Sequence, residues 1–482
     1  MKNMYIFIFI ALCHIQGCCC PVFASNHNEK QTYYISSSEG DDRNDGLSPE
    51  TAKRTIKSIG RKSGVRILLK RGDVFFERLA GYLNFEISPY GKGGRPILCG
   101  FKILRNSSAW EKVADNIWRI DLTKKEDFVG YDIEGASNRN TVNNVGFIYD
   151  ADKDMVYGHL VRYQNQLAEN GDFYMTELHK PKDFEKNPFR YLYWKIDKNP
   201  KGFSGLCFPV YESGISGIKN GMINGISVVG FSIHGICNAT DCVISNCQID
   251  LIGGGNFIKD RWWSRFGNGI EFWTSKHQRN NIVKNCIVSR TYDCGMTIQC
   301  NDHRIPDVHN IKFINNRLYR CRQAFEHFIT PSDTTCHPEY NNCEFTSNIC
   351  LDMGENDFNT PEKRDASILS YERESKSMII ENNIFYGAPY YCGYVKPIGL
   401  RKNKVYIYKG QYLNHYHGKK NYPTILADGE ETIKKYKDWS GDDSDIIIIE
   451  RGGKKDSKLR RRIERKIGYK KPELHLERIL NK

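Results

Sequence analysis

Two glutamates in this chain are spaced like an acid–base pair. Glu271 lies in the run Gly269-Ile270-Glu271-Phe272-Trp273 and Glu326 in Ala324-Phe325-Glu326-His327-Phe328, with Gly295-Met296-Thr297-Ile298-Gln299 between them. Successive side chains of an extended chain point to opposite faces. Aligned on one another, the three runs place Ile270, Met296 and Phe325 on one side, together with Phe272, Ile298 and His327. Glu271, Thr297 and Glu326 share the other side with Trp273, Gln299 and Phe328. As neighbouring strands these runs would set the two glutamates two strands apart, ~9.6 Å between backbones. Inverting glycosidases hold their acid and base carboxyls about 6.5–9.5 Å apart, with room for a water between them. An outward carboxylate can equally be a solvated one, so Glu271 and Glu326 are candidates. Asp293, in Tyr292-Asp293-Cys294-Gly295, precedes the middle run and is a third candidate; its competing reading is a turn aspartate that bonds backbone amides. Asp250, ahead of Gly253-Gly254-Gly255, would take the same place one unit earlier. His327 is expected in the core.

Polar segments with aromatic and basic residues surround these runs: Asp260-Arg261-Trp262-Trp263-Ser264-Arg265, Lys276-His277 and Asp302-His303-Arg304. Indole faces stack on sugar rings, and guanidinium groups bind carboxylates or sulfates through paired hydrogen bonds. Trp262, Trp263, Arg265, Trp273, His277, Gln299 and His303 are therefore the expected substrate contacts. His277 and His303 are also candidate acid–base groups. No CxxC pair and no His/Cys cluster has zinc spacing, and no metal site is expected. The loop Gly40–Gly46 is dense in oxygen donors but lacks the closing bidentate glutamate of a calcium loop; it is expected to be a structural turn.

The elements that must position these residues repeat. Five times the chain runs apolar, any, Asn or Ser, Asn or Cys, any, apolar. The copies begin at Ile244, Val283, Phe313, Phe345 and Ile380, so their first residues are 39, 30, 32 and 35 positions apart. Recurrence at ~20–50 residues marks a solenoid. The period-2 alternation marks its elements as short strands. Asn suits the corners, because it tolerates left-handed backbone and bonds its neighbours in a turn. An all-β parallel β-helix is the expected fold. Regular coils are expected over 216–410, early coils with long insertions over 101–215, including a hairpin arm at Asn170–Pro200, and an N-terminal cap with the first coils over 30–100. Helices at Ile433–Trp439 and Lys458–Ile467 should build a small cap over 411–482.

The 482 residues carry a net charge of +13. Residues 451–482 hold 13 Lys and Arg against 4 Asp and Glu, a surplus of 9, which leaves +4 on the rest. This basic tail is expected to be a docked or solvated helix. It lacks the interleaved aromatics of a nucleic-acid stacking surface, and no nucleic-acid partner is expected. Residues 1–24 have the pattern of an export signal: Lys2, the apolar run Met4–Cys13, then small residues. Two processing sites compete there. Val22-Phe23-Ala24 fits signal peptidase, whereas Ile15-Gln16-Gly17-Cys18 fits a lipobox that would anchor the protein to a membrane through Cys18. An exported protein is expected, periplasmic, outer-membrane-anchored or extracellular. Of the 17 cysteines, the 13 beyond the signal are scattered and several occupy repeat positions. They are expected to be mostly free, buried thiols.

The segments Tyr33–Ile56 (YYISSSEGDDRNDGLSPETAKRTI), Leu68–Leu79 (LLKRGDVFFERL) and Ser88–Gly100 (SPYGKGGRPILCG) resemble the N-terminal cap and first coils of secreted right-handed parallel β-helix proteins of the pectate-lyase-like superfamily, of the type common in Bacteroidetes. With the repeats, the resemblance covers roughly residues 30–400. It implies a carbohydrate-active groove lined by the coils that carry Glu271, Asp293 and Glu326, with a polysaccharide as partner. The superfamily hosts several reactions, so it does not select one. A hydrolase would use the carboxylates. A lyase would need a base and cations beside a uronate carboxyl, from Arg265, Lys276, His277 and His303, and calcium is the one cofactor that reading would add. The near-neutral body of the chain puts hydrolysis ahead. The alternative of another class is a non-catalytic glycan-binding or adhesive β-helix, in which only Trp262, Trp263 and Trp273 matter. A monomer is expected.

Overall fold

The computed structural model describes residues 30–130, 144–175, 191–255, 265–273, 279–300, 307–329, 339–355, 358, 365–371, 377–393, 399–415 and 422–480. The expected export signal, Trp262, Trp263, His277 and His303 lie outside these residues.

The repeat pattern straddles one corner of each coil. In the copy at Val283, strand Asn281–Lys284 ends, Asn285 turns with φ 57°, and strand Ile287–Thr291 leaves on a second face. Asn246, Asn315, Ser347 and Asn382 take the same left-handed backbone, a conformation that costs Asn less than most side chains. A second corner closes the coil with Ile287–Thr291 before it and the strand Cys294–Cys300 after it, on a third face. The three faces are parallel sheets. Two of them join through the long strands Ser213–Asn224 and His234–Ser245 into one 18-stranded sheet, and the other has 10 strands.

The buried position after each left-handed corner holds the coils together. Asn316 Oδ1 accepts from Cys286 N, Asn348 Oδ1 from Asn316 N, Asn383 Oδ1 from Asn348 N, and Asn403 Oδ1 from Asn383 N. Each of these amides reaches back to the preceding coil and satisfies a backbone N–H that bends away from its ladder. Earlier coils carry Cys247 and Cys286 at that position, both fully buried. Eleven described cysteines are free and buried. Inside, Phe272, Phe313, Phe325, Phe345 and Phe385 form a continuous aromatic stack, with Phe325 and Phe345 parallel at 4.5 Å.

At the N-terminal end, Gln31–Ile35 pairs in parallel with Val65–Lys70, and the short 3-10 turn Ile56–Ile59 buries both isoleucines against the first coil. In the Gly40–Gly46 loop, Asp42 accepts from Arg54 N, Thr55 N and Thr55 Oγ1, and Asp45 accepts from Leu47 N and Thr51 Oγ1. These carboxylates are consumed by the turn itself.

Two expectations change. Residues 101–210 are not early coils. Ile97–Cys99 pairs directly with Ser227–Val229 on the second face, and the described strands from Phe101 to Pro209 form two antiparallel sheets of five and four strands. The predicted hairpin arm exists within this insertion: Phe173 pairs with Trp194 and Tyr174 with Tyr193. Its core of Trp110, Trp194, Phe173 and Leu192 is separate from that of the coils, which is why the segment shows no solenoid repeat. The coils also do not stop at residue 410. Asp445–Ile449 continues the second face beside Lys404–Tyr408. Helix Glu430–Ser440 covers the last coil with Tyr436 packed near Tyr391.

The basic tail is docked. Helix Lys454–Ile467 lies on the outside of the second face, with Ile463 and Ile467 on Leu351, Tyr386 and Tyr408. Arg460 binds both oxygens of Asp352. Beyond the helix, Tyr469 donates to Asp250, and Leu474 packs among residues of the insertion.

Candidate active-site groove on the third face

The strand register agrees with the alignment made from sequence. Ile270 pairs with Met296 and Met296 with Phe325; Glu271 pairs with Thr297 and Thr297 with Glu326; Trp273 pairs with Gln299 and Gln299 with Phe328. Ile270, Phe272, Met296, Ile298 and Phe325 belong to the interior of the coils. Glu271, Thr297 and Glu326 therefore form one outward column, which Cys237 and Ser216 extend on the earlier coils. Glu271 and Glu326 are 6% and 4% exposed. They are not solvated surface carboxylates: neighbouring side chains enclose them. Thr297 between them is fully buried, and its hydroxyl has no partner among the described residues.

Neighbouring polar groups hold both glutamates. Asn268 Nδ2 donates to Glu271 Oε2 at 2.5 Å, and His234 Nε2 lies 3.5 Å from the same oxygen. Gln299 Nε2 donates to Glu326 Oε2, and Cys294 Sγ is 3.4 Å from it. Burial pushes the Cys294 thiol well up, and the Glu326 charge adds to that, so Cys294 acts as a neutral donor. Sequence reasoning missed His234, Asn268, Cys294 and Gln323. Asn268, Cys294 and Gln323 stand just before the aligned runs, and His234 lies on the preceding coil. Extending the alignment upstream by one residue would have paired Cys294 with Gln323, as the structure does.

Asp293 stands at the corner before the middle strand, partly exposed. Its N–H donates to Gly267 O, and its carbonyl accepts from Thr291 Oγ1. On the following coils the same corner bears Arg322 and Asp365, which are 3.6 Å apart. Burial raises Asp365 to about 6, against the pull of Arg322. At the other end, Arg78 binds Glu212 at 2.6 Å and Ser216 Oγ at 2.8 Å. Trp273 is 36% exposed, and its ring meets Phe328 edge-on at 6.5 Å.

Three sequence expectations meet a different environment. Arg265 is not a free substrate contact: its Nε and Nη2 donate to the carbonyls of Gly254, Gly146 and Gly158, and its guanidinium covers the Tyr292 ring. It clamps the insertion to the coils. Asp250 does not face the groove. It lies on the second face, fully buried and bidentate with Arg290, because its strand precedes the corner rather than following it. Gln299 contributes to the site through Glu326, its side chain being largely buried.

His327 is inward as expected, stacked on Phe325 at 5.5 Å, and burial lowers it to about 4. The unfolded chain therefore takes up a proton between pH 6.5 and about 4 that the folded protein refuses, so stability falls as pH drops through that window. His327→Leu is expected to remove up to about 3 kcal/mol of the stability lost between pH 7 and pH 4. Urea unfolding of both proteins at the two pH values measures it.

No family model matches the chain, and no curated protein matches it. Solved structures do. The complex of XylC with xylose is 10% identical over 86% of this chain and 82% of that one, with a TM-score of 0.49. The GH136 lacto-N-biosidase from Eubacterium ramulus is 13% identical over 87% and 67%, TM-score 0.39. The alginate lyase from Paenibacillus sp. str. FPU-7 is 11% identical over 80% and 91%, TM-score 0.32. The chain is a parallel β-helix. The parallel register and the corner ladders establish this within the molecule.

Proposed function

We propose that the protein is an exported carbohydrate-active enzyme that hydrolyses glycosidic bonds of a polysaccharide bound along the third face of the β-helix. The observation that carries this reading is the column Glu271–Thr297–Glu326: two enclosed carboxylates on one face, two strands apart, each held by a neighbouring amide. A separation of ~9.6 Å between their backbones suits an inverting displacement by water. Glu326 protonates the leaving oxygen and Glu271 takes the proton of the attacking water. Trp273 offers an exposed ring edge beside them, and Asp293 stands at the corner as a further carboxylate.

Elimination is less well supported. It needs cationic groups at a uronate carboxyl, and the guanidinium groups described beside this face, Arg78 and Arg322, each sit against a carboxylate. A neutral glycan fits this balance better than an anionic one. The test is a panel of neutral and uronic-acid polysaccharides, with new reducing ends and the ultraviolet absorbance of unsaturated uronates recorded together. Reducing ends without absorbance are expected. Both signals together would mean elimination, and glycan retention with neither signal would mean a binding protein.

A further inference from the structure

The groove contains a small relay that neither the carboxylate pair nor the fold requires. Asn268 Oδ1 accepts the backbone N–H of Cys294 on the next coil, at 3.1 Å. This contact fixes which way the amide faces, so Nδ2 must point to Glu271 Oε2. The backbone N–H of Asn268 in turn donates to His234 Nδ1 at 3.3 Å. A ring nitrogen that accepts carries no proton, so the ring proton is on Nε2, the atom 3.5 Å from the same Oε2. Two main-chain N–H groups on consecutive coils thus aim the Asn268 amide, which bonds Glu271 Oε2, and the His234 ring N–H, which lies 3.5 Å away, at one oxygen of one carboxylate. Glu271, Asn268 and His234 are all largely buried, at 6%, 3% and 7% exposure. Glu271 Oε1 makes no hydrogen bond among the described residues.

We infer that Asn268 and His234 are positioning residues that lock Glu271 through Oε2 and leave Oε1 as the proton acceptor of the cleavage. The inference rests on the hydrolase reading and divides its labour. In the step it describes, a water oxygen bonds to the anomeric carbon while its proton passes to Glu271 Oε1. The glycosidic C–O bond breaks with its electron pair on the leaving oxygen, which takes the proton of Glu326. Proton exchange with solvent then restores both carboxyls. A carboxylate free to rotate would lose the alignment that such a transfer needs. His234 and Asn268 act through Glu271, so their effect belongs in kcat and not in KM.

The test uses the full chain and the polysaccharide that the panel identifies. His234→Phe keeps an aromatic ring beside Phe266, now 6.3 Å away, and removes the donor. His234→Gln keeps a donor. Asn268→Leu removes the second donor. His234→Phe and Asn268→Leu are each expected to lower kcat about tenfold or more with KM unchanged, the scale of one lost hydrogen bond, and His234→Gln to recover most of the His234→Phe loss. A crystal structure of Asn268→Leu should show the Glu271 carboxylate in another rotamer. If Glu271→Gln is inert while both donor-deleted variants keep kcat within about twofold, the positioning reading is overturned and the hydrolase reading stands. If His234→Gln is as slow as His234→Phe, the donor is not the cause and the inference fails. If Glu271→Gln keeps full turnover, the hydrolase reading itself falls.

Discussion

Glu271→Gln and Glu326→Gln should each reduce kcat by about 10²–10⁴-fold, the usual contribution of a general acid or base, and leave the protein folded. Both substitutions conserve shape and find partners already in place. A glutamine at 271 can offer its carbonyl to Asn268 Nδ2 and His234 Nε2, and one at 326 can do the same for Gln299 Nε2. A loss of rate will therefore report the lost proton chemistry. The two variants should also differ. Glu326 assists the leaving group, so Glu326→Gln should recover on a 4-nitrophenyl glycoside, whose phenolate leaves without a proton. Glu271→Gln should not, because the attacking water still needs its base. Retained glycan affinity in both variants would complete the result. Full activity in both would reduce the pair to buried structural carboxylates.

Asp250→Ala is expected to be the most destabilising single change in the described coils, by about 3–5 kcal/mol. Asp250 is fully buried. It receives Arg290 Nε at 2.9 Å and Nη2 at 2.5 Å, Ser289 Oγ at 2.9 Å and Tyr469 Oη at 2.9 Å. Removing it leaves a guanidinium that is 4% exposed with Asp154 as its one counter-charge among the described residues. It also releases Tyr469, one of the contacts that hold the segment after helix Lys454–Ile467 to the coils. A lower urea midpoint with faster proteolysis near the C-terminus is the expected result. Asp250→Ala with Arg290→Met should recover part of the loss, since the cost lies in the uncompensated charge rather than in the missing pair.

Much of the solenoid was legible because its rules are local. Asn or Ser at the left-handed corner, the buried Asn or Cys after it, and period-2 alternation on either side recur in each coil, so self-comparison alone aligned Glu271 with Thr297 and Glu326. The thiols were legible for the same reason, since a small apolar group at a repeat position must face the interior. Residues 101–210 were not legible as a separate antiparallel unit. Their strands have the same alternation as a coil strand, and nothing local distinguishes an antiparallel partner from a parallel one. Asp250 misled for a related reason: an acidic residue ahead of glycines looks alike before and after a corner, yet the corner decides which face it joins.

The sequence by itself determined the coil, its corners and the outward column, because period, turn residue and side-chain parity are properties of neighbouring residues. Only the tertiary structure decided what each of these side chains touches. Asp250 becomes half of a buried ion pair because Arg290 and Tyr469 meet it on the second face. Arg265 becomes a clamp because three carbonyls converge on it. Glu271 Oε2 meets the Asn268 amide and the His234 ring because His234 and Asn268, 34 residues apart in the chain, are stacked on consecutive coils. Partners that far apart are joined by the stacking of coils, and no local pattern encodes which side chains such stacking brings together.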